Sequence, residues 1–153
     1  MAGTVVADTL QAASTSTLVL KNGVANTPPT IQDSAGTQIG TFCRAWVNFN
    51  GTGTVAIRAS FNVSSITDNG AGDYTVNFTN AMPDANYAVN GFTTKASSLA
   101  RAGCFITYDV DNANVGTAPT TTSIRVISRV AASVSDGNGG ATDSPYVSIG
   151  IFR

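Results

Sequence analysis

Histidine is absent from the 153 residues and so is glutamate; the nine acidic side chains are all aspartate. Without an imidazole no Ser-His-Asp or Cys-His arrangement can form, and a zinc site with a histidine ligand is excluded. Lysine occurs only as Lys21 and Lys95, and charged residues make up 11% of the chain, less than half the usual share. A chain with no Glu and almost no Lys is poorly equipped to build solvent-facing helices. Net charge is −1 and no basic run occurs, so the phosphate-neutralising contribution that dominates nucleic-acid binding is missing. No apolar stretch approaches the length of a membrane span. The start, MAGTVVADTLQAAS, lacks the basic residues and continuous apolar run of a signal peptide, which predicts synthesis in the cytoplasm without secretory export. The two cysteines, Cys43 and Cys104, fit no metal-knuckle spacing. They read as two reduced thiols buried as small hydrophobes, with a disulfide between facing strands as the alternative.

Threonine, serine, asparagine and glycine fill the space that charge leaves, and they favour strands and turns. The predicted fold is all-β: an antiparallel β-sandwich, jelly-roll-like, with a barrel as the runner-up. Its centre is the block 41–79, TFCRAWVNFNGTGTVAIRASFNVSSITDNGAGDYTVNFT. Val47 and Phe49 point one way there, with Trp46, Asn48 and Asn50 opposite, and Gly51-Thr52-Gly53 closes a hairpin. The next run sets Val55, Ile57, Ala59, Phe61 and Val63 on one face, the period-2 pattern of a half-buried strand. Asp68–Gly72 reads as a longer turn, after which Tyr74, Val76 and Phe78 alternate with Thr75, Asn77 and Thr79. Further runs follow at Tyr87–Val89, Leu99–Val110, Ser123–Val130 and Tyr146–Phe152. In the third of these Ile124 and Val126 face away from Arg125, Ile127 and Arg129. In the last, Val147, Ile149 and Ile151 face inward, so this run should lie inside its sheet. Loops span Asn112–Thr122 and Ser133–Ser144.

Residues 1–40 differ in kind. Leu18, Val19 and Leu20 form a short apolar cluster, Pro28-Pro29 enforces an extended path, and Asp33-Ser34-Ala35-Gly36 signals a turn. Too few apolar residues occur to bury a core, so this segment is expected as an extended arm that orders on a partner or on neighbouring copies, with residues 41–153 as the domain.

Reactive chemistry is thinly supplied. Asp68/Asp73 and Asp109/Asp111 are the close acidic pairs that a glycosidase would need, but each sits at a turn, where Asp is favoured for its own backbone bonds. The run Asp109–Asn114 fails the EF-hand pattern at Ala113 and Thr120, leaving at most an irregular calcium site on Asp109, Asp111 and Asn114. No catalytic, cofactor-binding or metal-binding residue is assigned. The contact candidates are Trp46 and Arg58 in the central block, Leu18, Val19 and Leu20 in the arm, and Asp136 and Asn138 in the glycine-rich loop Asp136–Gly140. Trp46 suits a core layer or a subunit interface better than a sugar-stacking site.

The stretch RAWVNFNGTGTVAIR (44–58), followed by SFNVSSITDNG (60–70) and GDYTVNF (72–78), resembles a module of bacteriophage virion proteins, tail-fibre-like components common in phages of aquatic bacteria. The likeness is close over about residues 41–90. It implies a trimeric, mostly β virion component on the particle surface, and it carries over no catalytic residue. A leader of 40 residues points to a short tail fibre or fibre tip of receptor-binding type, with a capsid decoration (cement) protein as the alternative and a carbohydrate-binding module as a further one. The partners implied are other copies of the chain, tail or capsid proteins held through the arm, and a host surface glycan.

Overall fold

The computed structural model describes residue 20 and residues 29–94, 104–108, 117–130 and 140–153. Every regular element among them is a β-strand: β1 Ile31–Gln32, β2 Gln38–Gly40, β3 Cys43–Asn50, β4 Ala56–Phe61, β5 Val63–Gly70, β6 Asp73–Phe78, β7 Ala88–Thr93, β8 Cys104–Tyr108, β9 Ser123–Val130 and β10 Val147–Phe152. β1 and β2 form a small hairpin, turned where Asp33 Oδ1 accepts the backbone N–H groups of Ala35 and Thr37. The other eight pair antiparallel in the order β4-β3-β10-β7-β8-β9-β6-β5.

This sheet is not flat. β3 and β6 stand five places apart, which at the usual strand spacing is about 24 Å. Yet the rings of Phe49 on β3 and Tyr74 on β6 meet edge to face with centroids 5.0 Å apart. The sheet therefore folds over on itself, with β4-β3-β10-β7 as one layer and β8-β9-β6-β5 as the other: an all-β antiparallel sandwich that does not close into a barrel. Ala45, Val47 and Phe49 of β3, Tyr74, Val76 and Phe78 of β6, Ile124 and Val126 of β9, and Val147, Ile149 and Ile151 of β10 fill the space between the layers. These are the inward phases that alternation predicts, and β10 lies inside the sheet between β3 and β7, as its apolar phase requires.

Two expectations are corrected. The run Val55–Val63 is not one half-buried strand. Asn48 pairs with Ala59 but Phe49 pairs with Ile57, so Arg58 is an extra residue, a β-bulge that reverses the phase. Ile57 shares the inward face of Phe49, whereas Phe61 shares the outward face of Trp46, and all six residues of β4 are exposed because it is an edge strand. The strand then ends at Asn62, whose φ of 55° turns the chain from one layer to the other. Second, Asp68–Gly72 is mostly strand: β5 runs to Gly70, and only Ala71 and Gly72 turn into β6. Gly72 is required there, since φ is 67° and a Cβ would stand 2.3 Å from Thr142 N. Ile127 keeps the phase of Arg125, pairing with Asp73 as Arg125 pairs with Thr75, and is buried there.

Candidate functional site

The outward faces of the two layers differ in chemistry. On β5-β6-β9 the side chains bond to one another. Asn77 Nδ2 donates to Ser65 Oγ and Thr67 Oγ1, Asn69 Nδ2 donates to Thr75 Oγ1 and Asp73 Oδ1, and the Arg125 guanidinium grips both Asp73 oxygens. That last pair holds the Asp73 carboxyl below its usual range, first through the hydrogen bonds from Arg125, against a smaller opposing effect of burial. Asp68 accepts the Gly70 N–H. The acidic pair Asp68/Asp73 is thus occupied by a turn and an ion pair. The polar face is satisfied by its own groups.

The outward face of β4-β3-β10-β7 is built the other way. Cross-strand register sets one row as Phe61–Trp46–Gly150–Asn90 and the next as Ala59–Asn48–Ser148–Phe92. Phe152 lies beyond the first row, against Gly150, where a Cβ would come within 3.4 Å of its ring. Tyr146 lies beyond the second, with the Arg58 guanidinium 4.2 Å above its centroid, a cation–π contact. The exposed fractions are Trp46 40%, Phe61 54%, Phe92 70%, Tyr146 53% and Phe152 38%. Between the rings sit small or amide side chains, with Asn48 Nδ2 donating to Ser148 Oγ at 2.7 Å. An antiparallel sheet with one buried face normally presents polar residues on the other. Five outward aromatics on one layer depart from that rule.

Trp46 is therefore outward, which settles its reading against a core role. Arg58 is exposed and rests on the ring of Tyr146. Leu20 is exposed; Leu18, Val19, Asp136 and Asn138 lie outside the described residues, as do Asp109, Asp111 and Asn114. Cys43 is a half-buried free thiol.

Sequence reasoning missed Phe61, Phe92, Tyr146 and Phe152. Two of them were signalled: Tyr146 and Phe152 fall out of phase with the inward run Val147, Ile149 and Ile151. Phe61 was hidden by the bulge at Arg58, which no pattern of side chains announces.

Behind this face the layers are pinned by buried hydroxyls. Thr93 Oγ1, Ser128 Oγ and Ser144 Oγ form a chain with 3.0 Å at each step. The Tyr74 hydroxyl lies 2.9 Å from Gly51 O and 3.1 Å from Asp143 Oδ1, and Asp143 also accepts the Gly72 N–H. Burial, and then the Asp143 carboxylate, push the Tyr74 phenol well above its usual pKa, so it stays protonated as a donor. These groups are structural. No known family model, curated protein or solved structure matches the chain.

Proposed function

We propose that the chain is a structural protein of a bacteriophage particle, exposed on its surface, of the short tail-fibre or receptor-binding type and trimeric. Its work is contact, not chemistry. The observation that carries this reading is the aromatic outward face beside a self-satisfied polar one: a protein built to touch something through one layer. The likeness of about residues 41–90 to phage virion modules supplies the setting. Several copies projecting together multiply weak contacts through effective concentration.

A second contact belongs to residues 1–40. Ile31, Ile39 and the adjoining Phe42 are exposed around the β1–β2 hairpin, apolar side chains that suit attachment to another tail or capsid protein. That attachment serves a capsid decoration protein equally well, so decoration of the head is the second reading. Gold-labelled antibody against the chain, imaged on purified particles, tests both. Label at the tail supports the first, label over the head supports decoration, and particles without label overturn the virion assignment.

A further inference from the structure

We infer that the aromatic face of β4-β3-β10-β7 is where one copy of this chain meets another; the inference rests on the multi-copy reading above and assigns the surface that does the joining.

With the apolar β1–β2 hairpin assigned above to attachment, elimination narrows the choice among the remaining described surfaces. Copies could join by adding strand to strand at a sheet edge, but both edges are bulged. β4 carries the extra residue Arg58, and β5 has register breaks between Val63 and Ser65 and between Asp68 and Gly70. Bulges of this kind blunt an edge against pairing. The outward face of β5-β6-β9 has spent its amides and hydroxyls on internal bonds, so covering it would gain little. The aromatic face remains.

Area and charge favour a second copy as its occupant. With each aromatic contributing 150–250 Å² when fully covered, the exposed fractions of the five rings sum to roughly 400–600 Å² of aromatic surface. A standard interface takes about 800 Å² from each partner, so these rings supply its centre and the intervening Asn48, Ser148 and Asn90 its polar part. A sugar ring stacking on one or two aromatics leaves most of that surface wet. Any surface of this chain is also charge-poor, with 8 basic and 9 acidic residues in all, so two copies desolvate few charges when they meet. Arg58, at this face, already rests on Tyr146.

The face carries its own reporter, because Trp46 is the sole tryptophan. The full chain is followed through a dilution series by light scattering and by tryptophan emission, alongside Phe92→Ser and the opposite-face control Thr67→Ala. The expected result is an oligomer whose dissociation red-shifts Trp46 emission, with Phe92→Ser dissociating at tenfold or higher concentration and the control unchanged. Far-UV circular dichroism and thermal melts of Phe92→Ser, a solvent-exposed position, establish that it remains folded. An oligomer that dissociates with Trp46 emission fixed and Phe92→Ser unaffected overturns this interface while leaving the multi-copy reading intact. A wild-type chain that is monomeric throughout overturns both. Host polysaccharide that shifts Trp46 emission without changing the mass, while Phe92→Ser abolishes the shift, reassigns the face to a glycan.

Discussion

Single side chains do two kinds of work in this sandwich, and Tyr74 shows the first. Its ring is core, edge-on to Phe49, while its hydroxyl spans Gly51 and Asp143. Tyr74→Phe keeps the ring but removes the donor shared by Gly51 O and Asp143 Oδ1, the latter keeping the Gly72 N–H, so urea denaturation should show a loss of about 1–3 kcal/mol. Asp73 shows the second kind, electrostatic and outward. Its folded pKa is depressed by Arg125, so the pair contributes stability above the unfolded carboxylate value of about 3.9. That contribution fades as pH falls through the lower folded value. Wild type should therefore lose more stability between pH 6 and pH 2 than Asp73→Asn, measured by urea midpoints across that range. Equal losses would show that the ion pair is a geometric accident.

At the scale of elements, the corner at Asn62 decides how the two layers meet. Asparagine tolerates φ of 55° better than most side chains, and here it also works with its amide. Nδ2 donates to Arg44 O and Asn80 O, while Oδ1 accepts from Asn80 N. Asn62→Gly keeps the backbone freedom and loses the bonds, whereas Asn62→Ala loses both. Thermal unfolding should rank them wild type above glycine above alanine, with alanine down by about 2–4 kcal/mol from lost bonds and strain together. The strands themselves are largely legible in the sequence. β3, β6, β9 and β10 announce their inward faces by simple alternation, because a residue buried between two layers must be apolar every second step. β4 and β5 were misread as one strand and a turn. Alternation continues unbroken in the letters from Val55 to Val63, but the chain inserts a bulge and a left-handed corner, and neither has an apolar signature. The aromatic face was half legible. Trp46 stood out by its rarity, and Tyr146 and Phe152 by their phase. Its composition as a surface depends on which strands become neighbours, and β3, β10 and β7 are brought together from distant parts of the chain.

For the molecule as a whole, the asymmetry between its outward faces matters more than any one residue. One layer is finished by its own hydrogen bonds, whereas the other leaves five rings exposed to water. β10 links the halves of the chain. It is the strand between β3 and β7, pairing with residues about a hundred positions earlier. A chain ending at residue 144 should show no cooperative thermal transition, since both β3 and β7 would lose a partner and Val147, Ile149 and Ile151 would leave the core. That placement sets a timetable. During synthesis β3 and β4 emerge early and can form their hairpin, yet the inner edge of β3 stays open until the ribosome has released the whole of β10. Until then the aromatic strip is incomplete, with Trp46 already displayed but Gly150 and Phe152 still unmade. The complete face is therefore a late product of folding, formed only when β10 has docked between β3 and β7.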